Sequence, residues 1–255
     1  MGIVNVTPDS FSGGFPTTAA AVAHARRLIA EGADVLDIGG ESTRPGAQPL
    51  SEVQELARVM PLIAAVAGDA PLSIDTMKPA VARAAVAAGA TMWNDVTALR
   101  FSPDSLAIAA ELGCGVVLMH MRGEPVTMQI DPQYDDVVAE VAAFLAARAE
   151  AAMAGGVAGE KIWLDPGLGF GKTTAHNLAL LAGLDQIVAL GFPILLGASR
   201  KGFLKAVGAG GAHPADRLGG SLAAALAGAR AGVAAVRVHD VSETAQAFAL
   251  LEAIG

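Results

Sequence analysis

Residues 72–96, LSIDTMKPAVARAAVAAGATMWNDV, contain the pattern that decides the fold. A short apolar run at Leu72–Asp75 is followed by an alanine-rich stretch at Met77–Ala88, and a second short run follows at Thr91–Asp95. Pro79 lies in the first turn of the alanine-rich stretch, where a helix tolerates proline. The order strand, helix, strand predicts a βαβ unit with two parallel strands.

The same alternation extends from this unit over the whole chain in both directions. Short apolar runs predict eight strands, at Gly2–Val6, Val35–Gly39, Leu72–Asp75, Thr91–Asp95, Gly115–His120, Ile162–Asp165, Ile194–Gly197 and Val236–His239. Helices are predicted at Thr18–Glu31, Ser51–Val66, Met77–Ala88, Pro103–Leu112, Tyr134–Ala154, Thr174–Leu190, Pro214–Ala231 and Ser242–Ile254. Most strand runs are continuously apolar, which is typical of parallel strands buried on both faces.

The number of these units favours one fold class. The chain has 255 residues, and eight strand–helix units in about 250 residues are typical of a TIM barrel. We therefore predict an α/β fold, a single (β/α)8 TIM barrel, with one domain over residues 1–255. A doubly wound open sheet is the alternative fold. Two small domains would also fit the length, although no long Gly-, Ser- or Pro-rich linker separates them.

Composition and charge exclude several classes of protein. Hydrophobic residues make up 53% of the chain and charged residues 16%, which excludes disorder for most of it. The net charge of −8 lacks the basic field that non-specific nucleic-acid binding needs, so we expect no nucleic-acid partner. The single cysteine, Cys114, lies in an apolar stretch typical of packing. No signal peptide and no membrane-length apolar run is evident, and we expect a cytoplasmic protein without a membrane partner.

Polar or charged side chains follow every predicted strand at its C-terminal end. In a TIM barrel these ends form one face, and that face carries the active site. In strand order the residues are Asn5, Thr7 and Asp9; Asp37, Glu41, Thr43 and Arg44; Asp75; Asn94 and Asp95; His120; Asp165; Ser199, Arg200 and Lys201; Arg237 and His239. In a chain with few charges, this clustering favours one polar site.

Helix capping explains some of these residues as well as a binding site does. Asp, Ser, Thr and Asn commonly cap the helix that follows a strand, so Asp75 could serve as a cap alone. Lys201, Arg237 and His239 make poor N-caps, which favours a role in binding. Cationic side chains suit phosphate oxygens, and buried carboxylates suit the donor edge of an amino-heterocycle.

Three familiar motifs do not apply. The stretch DPGLGFGKT at 165–173 is similar to a phosphate-binding loop, but that motif needs glycine where Pro166 stands. Gly167, Gly169 and Gly171 follow a G-x-G-x-G spacing, which differs from the dinucleotide-binding fingerprint. The five histidines lack the spacing of a zinc site.

Five motifs together resemble the dihydropteroate synthase family. They are NVTPDSFS (5–12), GGESTRPGA (39–47), LDPGLGFGK (164–172), GASRKGF (197–203) and RVHDV (237–241), and they run in the family's order. The resemblance implies a pterin-binding TIM-barrel transferase of folate biosynthesis. Such an enzyme joins 6-hydroxymethyl-7,8-dihydropterin pyrophosphate to p-aminobenzoate, releases pyrophosphate and forms 7,8-dihydropteroate. Sulfonamides target its p-aminobenzoate pocket.

The resemblance also implies roles for individual residues. It assigns the pterin to Asp75, Asn94, Met119, Asp165 and Lys201. It assigns the pyrophosphate to Asn5, Arg237 and His239, with the cofactor Mg²⁺ bound through Asn5. It assigns p-aminobenzoate to Phe11, Pro45, Phe170, Ser199 and Lys201, beneath a loop with Thr43, Arg44 and Pro45. The implied catalytic residues are Asp75, Asp165, Lys201, Arg237 and His239, and the family implies a homodimer.

Two other functions remain open at this point. A methyltransferase of the same barrel superfamily, which uses methyltetrahydrofolate and a corrinoid protein, shares the pterin-binding acids. It does not need the phosphate set of Arg237 and His239. A non-catalytic pterin-binding homologue is the second alternative. It is supported by Gly13, which stands where the family usually has an Asp after SFS.

Overall fold

The computed structural model describes residues 1–6, 17–42, 48–125 and 127–255. Within these ranges the chain forms eight short strands and ten α-helices. The strands are β1 Gly2–Asn5, β2 Leu36–Gly39, β3 Leu72–Asp75, β4 Met92–Asp95, β5 Gly115–Met119, β6 Ile162–Asp165, β7 Leu195–Leu196 and β8 Ala235–Val236. The helices are α1 Thr18–Ala30, α2 Glu52–Val66, α3 Pro79–Ala87, α4 Ser105–Leu112, α5 Val137–Ala154, α6 Thr174–Ala182, α7 Leu184–Val188, α8 Gly202–Ala206, α9 Leu218–Ala231 and α10 Val241–Ile254.

The strands are parallel and follow one another in chain order. β1 to β6 form one sheet in the order β1-β2-β3-β4-β5-β6, and β7 pairs with β8. Single parallel bridges join the two sheets at both junctions, Leu164 with Ile194 and Gly2 with Val238. This sequential order, returning to the first strand, is that of the predicted (β/α)8 barrel. It excludes the doubly wound alternative, in which the strand order reverses.

Capping residues fix where several helices begin. The Thr17 side chain accepts a hydrogen bond from Ala20 N before α1, and Ser51 and Gln54 form a capping box before α2. α5 begins at Val137 rather than at the predicted Tyr134, because the Asp136 side chain accepts from the first-turn amides. The helix starts therefore follow local side-chain chemistry, which sets the length of each loop above the strands.

The main core lies between the strands and the surrounding helices. Leu36 and Ile38 of β2 are completely buried in it, and burial of each contributes about 2 kcal/mol. Ala21 and Ala25 lie four residues apart on α1 and are also completely buried. Their small side chains allow close packing of the helix on the sheet. Asp37, between the two apolar residues of β2, lies on the opposite face of the strand.

Strand register brings polar residues of neighbouring strands level with one another. Asn5 of β1 pairs with Gly39 of β2, Gly39 pairs with Asp75 of β3, and Asp75 pairs with Asn94 of β4. Side chains level in register share one face of a sheet. Three polar residues that are far apart in sequence therefore lie along one row, at the C-terminal ends of their strands.

Two helical segments differ from the prediction in more than where they begin or end. The single helix predicted at Thr174–Leu190 divides at Gly183, whose backbone is not helical and against which Val138 of α5 packs. The five-residue helix α8 was not predicted, because a single turn has no resolvable period. Among the residues that can be described, no helix combines the length and apolar character that a membrane span requires.

Candidate active site

A cleft of about 890 Å³ opens at the C-terminal ends of the strands. Every described residue to which the family resemblance assigns a role lines it. These residues are Asn5, Asp75, Asn94, Met119, Asp165, Phe170, Ser199, Lys201, Arg237 and His239. The predictions for Phe11, Thr43, Arg44 and Pro45 lie outside the described residues.

Arg237 lies at the centre of the polar network on the cleft floor. Its Nε donates to Asp37 Oδ2 over 2.5 Å, and its Nη2 donates to Asp75 Oδ2 over 2.7 Å. Asn94 Nδ2 donates to the same oxygen of Asp37 over 3.2 Å. One guanidinium thereby joins β2, β3 and the segment after β8, and β4 joins the network through Asp37.

The charges in this network are strongly perturbed. Burial raises the pKa of Asp75 to about 7, with Arg237 opposing the shift and Asp37 adding to it. Burial disfavours the charge on Arg237, but Asp37 and Asp75 outweigh it and raise the pKa of the guanidinium. A carboxyl group that titrates near neutrality beside a permanent cation is typical of a functional site.

Asp37 is a site residue to which the sequence assigned no role. It is 0% exposed, and its Oδ2 accepts from both Arg237 and Asn94. Within the described ranges its Oδ1 has no hydrogen-bond partner. The acidic side chain of Asp37 within an otherwise apolar strand was the available signal, but the family resemblance gave it no function.

Asp165 lies on the opposite side of the cleft floor, at the end of β6. Its Oδ1 accepts a hydrogen bond from Gly167 N over 2.7 Å, and burial raises the pKa of its carboxyl group. Gly167 has φ +66°, and a Cβ on it would lie 1.9 Å from His120 O. Glycine is therefore required at this position both for backbone conformation and for space.

The loop after β6, residues 166–171, carries Phe170 into the cleft; we call it the glycine loop. Lys201 Nζ lies 4.1 Å from the centroid of the Phe170 ring, within cation–π distance. Gly169 N donates to Asn177 Oδ1 over 2.6 Å, and Gln129 Nε2 donates to Gly169 O over 2.6 Å. The loop is held by side chains on both of its flanks.

Lys172 and His120 lie beneath the glycine loop. Lys172 Nζ lies 2.8 Å from His120 Nδ1. Burial, with help from Lys172, lowers the pKa of His120 to about 3, and burial lowers the pKa of Lys172 to about 7. A neutral imidazole can accept from the ammonium group. The sequence grouped His120 with the polar site, but it is buried and does not line the cleft. Lys172 was not singled out.

Ser199 and His239 meet at the third side of the cleft. Ser199 Oγ lies 3.0 Å from His239 Nδ1 and accepts from His239 N over 3.2 Å. The neighbouring Arg200 forms two hydrogen bonds to Asp240, of 3.0 and 2.5 Å. Arg200 directly follows Ser199, and Asp240 directly follows His239. Their ion pair therefore holds the two backbone segments next to each other.

Glu41 has a different role from the one its position suggested. It lines the cleft, but Lys78 Nζ bonds to its Oε2 and also to Glu55 Oε2, 2.6 Å away. Leu50 N donates to Glu41 Oε1 over 3.2 Å. Glu41 is therefore tied to its neighbours on two sides, and we assign it no contact with a ligand.

Comparison with known proteins identifies the family. Residues 1–239 match the family of pterin binding enzymes. Dihydropteroate synthase of Neisseria meningitidis serogroup B is 48% identical to the chain, and the match covers 100% of the chain and 92% of the relative. The chain belongs to the dihydropteroate synthase family.

Solved structures of dihydropteroate synthases have the same fold. The Xanthomonas albilineans enzyme with 4-aminobenzoic acid is 49% identical, with a TM-score of 0.92, over 99% of this chain and 91% of that one. The same enzyme in complex with 7,8-dihydropteroate has a TM-score of 0.88 at 47% identity, over 99% and 92% of the two chains. These matches confirm the predicted fold class and family and favour the synthase over the methyltransferase alternative.

Proposed function

We propose that the chain is a transferase that condenses 6-hydroxymethyl-7,8-dihydropterin pyrophosphate with p-aminobenzoate to form 7,8-dihydropteroate and pyrophosphate in folate biosynthesis. One observation carries the assignment of the site. Ten residues that the family resemblance names lie in one cleft, although they come from seven strands and the segments after them. Small molecules bind in such clefts at the C-terminal face of a TIM barrel.

The pterin would lie on the cleft floor. Asp165 takes the 2-amino and N3 donors of the pterin, and Lys201 donates to its carbonyl edge. Asn94 and Asp75 bind the remaining ring edge, and buried Met119 packs on the ring face. Each of these polar groups is buried or partly buried, so a ligand that leaves it unpaired binds weakly.

The pyrophosphate would lie against Arg237 and His239. In the structure Arg237 bonds to both Asp37 and Asp75. Phosphate oxygens would replace the bond to Asp75, while Asp37 keeps the guanidinium in place. Asp75 is then available to the pterin, which links binding of the two halves of one substrate through a single side chain.

The chemistry of the donor set fits Mg²⁺ at Asn5. Asn5 lines the cleft, and its Oδ1 is a hard donor beside the path of the phosphates. Within the described residues no three His, Cys, Asp or Glu side chains gather into a metal site. Magnesium commonly uses few protein ligands together with water and phosphate oxygens. When bound, it would supply charge neutralisation on the leaving pyrophosphate.

The proposed reaction is an SN1-like transfer. The bond between the pterin methylene carbon and the phosphate oxygen breaks, and the electron pair leaves with the pyrophosphate. Arg237 and His239 stabilise that charge, while the carboxylates of Asp75 and Asp165 stabilise the cation that remains. The lone pair of the neutral arylamine then forms the new C–N bond, and the extra amine proton passes to water.

The p-aminobenzoate would lie between Phe170 and Lys201, with its carboxylate near Ser199. The helix that begins after Lys201, α8, has only five residues, and we assign the contact to the Ser199 hydroxyl and the Lys201 ammonium rather than to its backbone amides. The ring of Phe170 then sets where the arylamine nitrogen lies.

Release of pyrophosphate tests the proposed function. We expect release from the pterin substrate that depends on both Mg²⁺ and p-aminobenzoate, with 7,8-dihydropteroate formed in equal amount. Pterin binding without release would favour the non-catalytic homologue. Release without incorporation of the arylamine would contradict the synthase.

Three further expectations concern the protein as a whole, and we propose them together. If the chain forms a homodimer, light scattering should give twice the chain mass of 25.6 kDa. The single domain predicts one cooperative unfolding transition that is the same by fluorescence and circular dichroism. A cytoplasmic location predicts recovery in the soluble fraction of gently lysed cells.

A further inference from the structure

Lys172 makes an unusual set of contacts behind the glycine loop. Its side chain is only 3% exposed. Nζ lies 2.8 Å from His120 Nδ1 and donates to Gly167 O over 2.9 Å and to Phe170 O over 3.1 Å. The acceptors belong to the residue after β5 and to both ends of the glycine loop. One ammonium group thus joins the loop to the neighbouring strand.

An ammonium group has three N–H donors, and protein acceptors use all three here. Lys172 therefore has no donor left for a phosphate oxygen, unlike the lysine of a phosphate-binding loop. This explains why the G-x-G-x-G-K stretch is similar to such a loop in sequence without its function. The Lys172 ammonium group instead donates to carbonyl groups of the glycine loop itself.

We propose that Lys172 is a positioning residue for the arylamine: it holds the glycine loop against His120 and thereby fixes the Phe170 ring in the cleft. The inference rests on the proposed function, since Phe170 is assigned to p-aminobenzoate there. The Phe170 carbonyl bonds to Lys172, while the Phe170 ring contacts Lys201. Loss of the ammonium would free the backbone directly beneath that ring.

The first test separates the two substrates kinetically. Lys172→Met removes the charge and keeps an unbranched apolar side chain. We expect the KM for p-aminobenzoate to rise about tenfold, as for loss of charged hydrogen bonds, with the KM for the pterin substrate changed less than about twofold. Lys161→Met is the matched control, because Lys161 is exposed and precedes β6 at the other end of the strand; it should change neither KM.

A double-mutant cycle tests whether Lys172 acts through Phe170. In a Phe170→Ala background, Lys172→Met should raise the KM for p-aminobenzoate by less than about twofold, because the ring it positions is gone. If the two substitutions raised the KM for p-aminobenzoate independently, so that their separate effects multiplied in the double variant, the proposal would be overturned. An equal rise in both KM values would also overturn it, since it would indicate a general loss of structure.

His120→Leu provides the same test if Lys172→Met does not fold. The substitution removes one acceptor and leaves Lys172 in place. We expect the same selective rise in the KM for p-aminobenzoate. An unchanged KM for p-aminobenzoate in this folded variant would overturn the proposal. Failure of the proposed function is distinguishable, because the unmodified chain would then form no dihydropteroate at all.

Discussion

The cleft is built from two regions that hold their functional side chains in different ways. On the floor, Asp37, Asp75 and Asn94 stand on paired strands, and their spacing is set by strand register. On the other side, Phe170 stands on a glycine loop that is held by hydrogen bonds to its own carbonyl groups. The floor is positioned by regular secondary structure, whereas the loop depends on single side chains and on glycines that permit close approach.

Because the two regions are held differently, mutations in each should affect different properties of the enzyme. Changes on the floor should damage pterin and pyrophosphate chemistry without moving the fold, because the strands stay paired. Changes in the glycine loop should affect stability or arylamine binding, because individual side-chain hydrogen bonds rather than strand pairing hold the loop.

Asp165→Ala should cause the largest loss, because Asp165 belongs to both regions. It ends a strand, and its carboxylate bonds to Gly167 N in the loop. We expect kcat/KM for the pterin substrate to fall about 10³-fold, since removal of one preorganised electrostatic group costs that much in other enzymes. Steady-state kinetics and far-UV circular dichroism measure activity and fold. The control Asp185→Ala, at an exposed position of α7, should change neither; near-normal turnover of Asp165→Ala would refute the assignment.

Asp37→Asn tests the floor alone. The substitution keeps the shape but removes the charge that pairs with Arg237 over 2.5 Å. We expect kcat/KM for the pterin substrate to fall about 10²-fold, with the KM for p-aminobenzoate nearly unchanged, because loss of one partner of a buried charged pair is costly. Asp34→Asn, at an exposed position before β2, is the control. A selective effect on p-aminobenzoate would contradict the division of roles.

Gly167→Ala tests the close approach of the glycine loop to β5. A Cβ would lie 1.9 Å from His120 O on a backbone with φ +66°. Strain and displacement together should lower the free energy of unfolding by about 3 kcal/mol. Gly191→Ala is a matched control, because Gly191 has φ +81° but no atom within 4 Å of the added Cβ. Its loss should be about 1 kcal/mol, from backbone conformation alone. Equal losses in denaturant titration would show that the close contact is unimportant.

The pH dependence tests the buried charge on the floor. Burial raises the pKa of Asp75 to about 7, so the carboxylate that binds the pterin forms as pH rises through neutrality. We expect kcat/KM for the pterin substrate to fall about fivefold between pH 7 and pH 6. Asp75→Asn should be less active overall and should lack this acidic limb. If the acidic limb of the pH profile persists in Asp75→Asn, another group causes it and the assignment to Asp75 is wrong.

The sequence predicted the floor better than the glycine loop for a physical reason. Strands and the polar residues that end them leave a periodic signal, and Asp75, Asn94 and Asp165 were found at predicted strand ends. The partners of Asp37 depend on pairing between strands that are distant in sequence. The role of Lys172 depends on backbone carbonyl groups, which every residue has, so no pattern of residue types reveals it. The break at Gly183 likewise comes from contact with Val138 of another helix.

A crystal structure of the chain with 7,8-dihydropteroate and pyrophosphate would test the division between floor and loop most directly. We predict the pterin ring at Asp165, Asn94 and Lys201, and pyrophosphate at Arg237 with the Asp75 bond released. The benzoate ring should lie against Phe170, with Lys172 still bonded to the glycine loop. A pterin bound away from Asp165, or a benzoate ring that does not touch Phe170, would contradict this division of roles.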